Sequence, residues 1–101
     1  MPSPSGEYQY LYGTVGQDGE PILGKEGFTC RYLREGLYVL EFERPFQDMP
    51  GVTATVYGHE WQTFNMSIAI VDLSPHYAVL VTSTPDRPQS VGFSFIAFGK
   101  L

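Results

Sequence analysis

The chain has 101 residues, of which 43% are apolar and 17% charged, and carries a net charge of −5. That length suits one domain with one modest core, and the apolar share excludes a disordered chain. The basic residues Lys25, Arg31, Arg34, Arg44, Arg87 and Lys100 form no basic stripe. This excludes nucleic acid and anionic membranes as expected partners.

Residues 1–6, Met1-Pro2-Ser3-Pro4-Ser5-Gly6, read as a flexible N-terminal lead, and 7–101 as a single β-sandwich domain. The lead lacks the basic and apolar regions of a secretion signal, so synthesis in the cytoplasm is expected, with the product free or carried on a virion or other particle. No apolar run reaches membrane-spanning length, so no membrane insertion is expected.

The elements follow from strict two-residue alternation between turn signals. Tyr8, Tyr10 and Tyr12 share one strand face. Gly16-Gln17-Asp18-Gly19 is a turn, Ile22-Leu23 a short strand, and Gly24–Gly27 another turn. Phe28, Cys30 and Tyr32 lie on one side of the next strand. Arg34-Glu35-Gly36 is a tight hairpin turn in which Gly36 supplies positive φ. Tyr38, Leu40 and Phe42 then point inward, with Glu41 and Glu43 toward solvent. The prolines at 45 and 50 end pairing in a loop from which Phe46 and Met49 tuck back toward the core. Val52, Ala54 and Val56 form an inner face. His59–Thr63 is read as a loop, since no segment shows a helical period. Met66, Ile68 and Ile70 point one way. Tyr77, Val79 and Val81 alternate with Ala78, Leu80 and Thr82. Thr84–Ser90 is a loop, and Val91, Phe93, Phe95 and Ala97 lie opposite Gly92, Ser94, Ile96 and Phe98. Strands of this spacing predict an all-β fold, an antiparallel β-sandwich of about six to eight strands.

The second faces of the later strands are apolar where a solvated sheet face would be polar. Ala69, Val71, Leu80, Ile96 and Phe98 are therefore expected to meet neighbouring subunits.

Chemistry is sparse. A lone Cys30 cannot form an intrachain disulfide and reads as a small core or interface hydrophobe. His59, His76 and Cys30 have no metal-ligand spacing, and Asp18 and Glu20 do not match a calcium loop, so no metal is expected. Glu41 and Glu43 read as a solvated face rather than a glycosidase pair. Gly16 and Gly19 make no phosphate loop, and no nucleophile-elbow motif is present. The expectation is no cofactor and no enzyme. The candidate ligand-binding residues are His59, Glu60 and Trp61 in one loop and His76 and Tyr77 in another. An indole ring stacks on the apolar face of a sugar, while His and Glu bond its hydroxyls.

From Gly27 onward the chain carries Gly27-Phe28-Thr29-Cys30-Arg31, then Gly36-Leu37-Tyr38-Val39-Leu40-Glu41-Phe42, Pro45-Phe46 and Met49-Pro50-Gly51-Val52-Thr53-Ala54. It closes with Gly92-Phe93-Ser94-Phe95-Ile96-Ala97-Phe98-Gly99. This order resembles the small trimeric β-sandwich modules of phage tail fibres and related bacterial proteins, and is similar to H-type lectin domains. The resemblance implies a six-stranded antiparallel sandwich assembled as a homotrimer. In the lectins, N-acetylgalactosamine or similar sugars bind near the subunit boundaries. The strand framework matches here, whereas the sugar-contacting loops do not match residue by residue. The expected function is recognition of a glycan or cell-surface receptor through loops at subunit boundaries of a homotrimer. The alternative is a structural trimerisation or capping unit of a larger, phage-like assembly.

Overall fold

The computed structural model describes residues 7–24 and 26–101, so the lead expected over 1–6 lies outside the described residues. The described residues form β1 (Tyr8–Val15), β2 (Pro21–Leu23), β3 (Phe28–Arg34), β4 (Leu37–Phe42), β5 (Gly51–Tyr57), α1 (Glu60–Thr63), β6 (Ser67–Leu73), β7 (Tyr77–Ser83) and β8 (Gly92–Lys100). The strands build two four-stranded antiparallel sheets. The first runs β2-β1-β8-β5 and the second β3-β4-β7-β6. The fold is all-β, with eight strands in place of the six that the resemblance implies. Among the described residues no helix is long and apolar enough to cross a membrane.

Alternation fixes which side of each strand faces the other sheet. On β4, Tyr38 and Leu40 are fully buried and Phe42 nearly so, while Leu37, Val39 and Glu41 between them are half-exposed. On β8, Phe93, Phe95 and Ala97 are buried and Ile96 and Phe98 are exposed. Rings from the two sheets meet edge to face across the core. Phe28 lies 4.8 Å from Phe95 and Tyr38 lies 5.2 Å from Phe93, centroid to centroid, the arrangement that aromatic quadrupoles favour. Burial is deepest between β1, β8, β4 and β7. Inward residues of β5 and β6, at the sheet edges, remain half-buried.

Three expectations are corrected. Leu80 lies in the core at 0% exposure, not on an outer face. Both faces of β7 are apolar, so alternation alone does not say which is inner, and Val79 and Val81 point outward instead. Met49 is exposed, because Phe46 already fills the mouth of the core, buried edge to face against Phe42. Residues 60–63 form one helical turn rather than open loop. A single turn buries no residue and so carries no apolar period for sequence to register.

The β3–β4 turn needs its glycine. Gly36 has φ of 75°, and a Cβ there would stand 2.6 Å from the Thr82 carbonyl oxygen. The Thr82 amide donates to the Gly36 oxygen at 2.8 Å, so neither strand can withdraw. Gly36→Ala is expected to lower stability by about 1–3 kcal/mol. A urea midpoint that falls with an unchanged slope checks this.

Strand direction sorts the connections. Residues 16–20, 35–36, 58–66 and 84–91 gather at one end of the sandwich. Residues 43–50 and 74–76 gather at the other, together with the first and last described residues. There Gln47 donates to the Lys100 oxygen at 2.7 Å and Leu101 to the Glu7 oxygen at 2.8 Å.

Candidate functional site

Two surfaces stand apart from an ordinary solvated exterior. The first is the outer face of the first sheet. β1 pairs with β8 so that Tyr10 is opposite Phe98 and Tyr12 opposite Ile96. The tyrosines that alternate along β1 therefore join the two apolar residues of β8. Tyr8 stacks on Phe98 with 5.4 Å between centroids, and Tyr10 tilts against the same ring at 4.8 Å. Leu23 extends the face through its pairing with Thr14. All six side chains are exposed, Tyr10 by 70% and Tyr12 by 61%. With aromatic side chains of about 150–250 Å² each, the exposed part sums to roughly 700 Å². A monomer rarely exposes more than a few hundred Å² in one apolar patch. A standard interface takes about 800 Å² from each partner.

The subunit-contact residues expected from sequence divide. Ile96 and Phe98 lie together on this face. Ala69 and Val71 are exposed on β6, in the second sheet. Val71 sits at a register shift between Ile70 and Asp72, where β6 carries one residue more than β7. Leu80 is enclosed in the core.

The second surface is the loop end. A cleft of about 640 Å³ opens there, lined by Gln17, Glu35, Gln62 and the segment Arg87–Val91. Its walls are held firmly. Buried Thr82 donates its hydroxyl to the Gln89 oxygen at 2.7 Å and accepts the Gln89 amide at 3.1 Å. The Ser90 hydroxyl accepts the Gly36 amide at 2.9 Å and lies 2.8 Å from the Tyr32 hydroxyl. Glu35 accepts the Ser90 amide at 2.7 Å on Oε2. That amide is the main reason the Glu35 carboxyl lies below the usual carboxylate range, with smaller help from the Ser90 and Tyr32 hydroxyls and Arg87. Gln62 is aimed by the His59 amide, which donates to its Oε1 at 3.2 Å.

The lowered Glu35 carboxyl implies a pH response. Its stabilising contribution is complete above the unfolded carboxyl pKa and is lost as pH falls through the lower folded value. Acidification below about pH 4 is therefore expected to loosen the 84–91 loop. The Ser90 amide resonance should move with that titration and stay fixed in Glu35→Gln.

The ligand-binding residues expected from sequence do not form one site. His59, Glu60 and Trp61 are at the loop end beside the cleft, and Trp61 is 82% exposed. His76 and Tyr77 lie at the opposite end, roughly 20 Å away along β7. There the Tyr77 hydroxyl donates to Asp72 at 3.1 Å, and the His76 oxygen accepts the Phe42 amide at 2.9 Å. These contacts close a turn. Glu35, Gln62 and Arg87, which line the cleft, were not singled out from the sequence. Each stands alone in its own connection, so nothing local marks them as neighbours.

Burial, with Glu20 adding to it, pushes the Cys30 thiol up to about 12, so it stays protonated at ordinary pH. Among the described residues no three His, Cys, Asp or Glu side chains are grouped to hold a metal ion. No family model, curated protein or solved structure matches the chain.

Proposed function

We propose that the protein is a non-catalytic recognition module that works as a homotrimer and presents loops at its subunit boundaries to a glycan or cell-surface receptor. The observation that carries this reading is the aromatic outer face of the first sheet. A mainly apolar surface of that size around Tyr8, Tyr10, Tyr12, Ile96 and Phe98, with Lys100 opposite Tyr8 at its border, gains by covering itself with a second copy. A three-fold ring joins two different patches on each subunit, and Ala69 and Val71 on β6 offer the second. The exposed indole of Trp61 supports the recognition half of the reading, because an unburied Trp at a loop end is free to stack on a ligand.

The second reading is a structural trimerisation or capping unit of a larger assembly, which the same aromatic face would serve. Trp61, the chain's one tryptophan, separates the two. For a recognition module, a glycan taken from an array screen should change its emission, and Trp61→Ala should weaken capture while leaving the fold intact. A cap would show no captured glycan and no change in emission, which would overturn glycan recognition.

A further inference from the structure

We propose that the loop-end cleft is a saccharide site complete within one subunit, in which Gln62 and Arg87 donate to, and Glu35 accepts from, neighbouring hydroxyls of a neutral sugar. This deepens the recognition reading and rests on it.

The cleft pairs one carboxylate, Glu35, with one guanidinium, Arg87. An anion entering it meets Glu35, and a cation meets Arg87. A hydroxyl is both donor and acceptor, so two adjacent hydroxyls satisfy both groups at once. The lining is mainly polar amide, carboxylate and hydroxyl, which disfavours an apolar ligand. Its volume falls within the usual range of about 300–1,000 Å³ for small-molecule sites.

The lining side chains are also preorganised. The Gln62 Oε1 is occupied by the His59 amide, which turns the Nε2 donors away from the helical turn. Glu35 is fixed through Ser90 and Tyr32, each at one carboxylate oxygen, so a second lone pair on each oxygen remains for a ligand. Among the described residues the Arg87 guanidinium has no carboxylate within ion-pair distance, although its charge is felt at Glu35. The backbone behind it is tied down by Thr82 and Thr84. Gln62 and Glu35, held this way, lose little freedom when they engage a ligand, whereas the Arg87 side chain is ordered by it.

The test is a nuclear magnetic resonance titration of the nitrogen-labelled full chain. Its probes are galactose, glucose, mannose, N-acetylglucosamine, N-acetylgalactosamine and N-acetylneuraminic acid. At least one neutral sugar is expected to move the Gln62 side-chain amide and Arg87 Nε–H signals saturably, at about 1 mM or tighter. Gln62→Ala and Arg87→Ala should each weaken that sugar by roughly 3- to 10-fold. The dissociated Phe98→Asp variant should still bind it. Two results would overturn the single-subunit site yet leave recognition standing: sugar binding that leaves those signals still, or binding lost on dissociation. Binding only of the acidic sugar, dependent on Arg87 but indifferent to Glu35→Gln, would overturn the neutral class. If no probe binds and no glycan is captured from the array, both readings fall together.

Discussion

Phe98→Asp is expected to sediment as a folded particle of 11.3 kDa, and the unaltered chain, if it assembles as proposed, at three times that mass. In the subunit the Phe98 ring touches Tyr8 and Tyr10 on the outer face and reaches no part of the core. Its loss should therefore cost the fold only about 0.5–1.5 kcal/mol. In an assembled seam the new carboxylate would be buried against apolar neighbours without a partner. That penalty is about 3–5 kcal/mol, enough to weaken association by about 100-fold or more. Ile96→Asp should act the same way. Leu80→Asp separates interface from core, because Leu80 is sealed between the sheets, and that variant should unfold rather than dissociate. An unaltered sedimentation profile for Phe98→Asp, or a monomeric parent chain, would refute assembly through this face.

Among substitutions that introduce no charge, the largest effect on the fold is expected at Tyr38. Its side chain is fully buried between Tyr32 and Phe93, and its hydroxyl donates to the Gln17 oxygen at 2.6 Å. Burial pushes the phenol up to about 12, so it remains a donor at every ordinary pH. Tyr38→Ala removes a whole core ring and should cost about 3–5 kcal/mol, a large share of the 5–15 kcal/mol that holds a typical domain together, roughly. Tyr38→Phe keeps the ring and loses only the hydrogen bond, for about 1 kcal/mol. The smaller change has its own signature. Gln17 belongs to the turn that lines the cleft, so amide exchange should quicken at Gln17, Asp18 and Gly19 while the strands stay protected. Equal losses for the two variants would mean that the hydroxyl, not the ring, dominates.

Much of the fold was legible because alternation is a local signal. Tyr38, Leu40 and Phe42, or Phe93, Phe95 and Ala97, announce their inner face within a few residues. The signal fails where both faces are apolar, as on β7, and Leu80 was assigned to the wrong side for that reason. It fails again for α1, whose single turn depends on the reach of Gln62 back to the His59 amide. The tyrosines of β1 could be placed on one face, but not on which face. That depends on pairing the first strand with the last, Tyr10 with Phe98, and no nearby residue encodes it. The cleft was illegible for a related reason. Glu35, Gln62 and Arg87 come from three separate connections, and only the folded sheets bring those connections to one end.

The hydrogen bond between Leu101 and Glu7 has a practical meaning for anyone handling the molecule. The first and last described residues, Glu7 and Leu101, lie side by side at the end opposite the cleft. A bead fixed after Leu101 leaves the four connections of the cleft end facing the solution. The same closeness would let a very short peptide join Leu101 directly to Glu7 and close the backbone into a circle without disturbing a single strand.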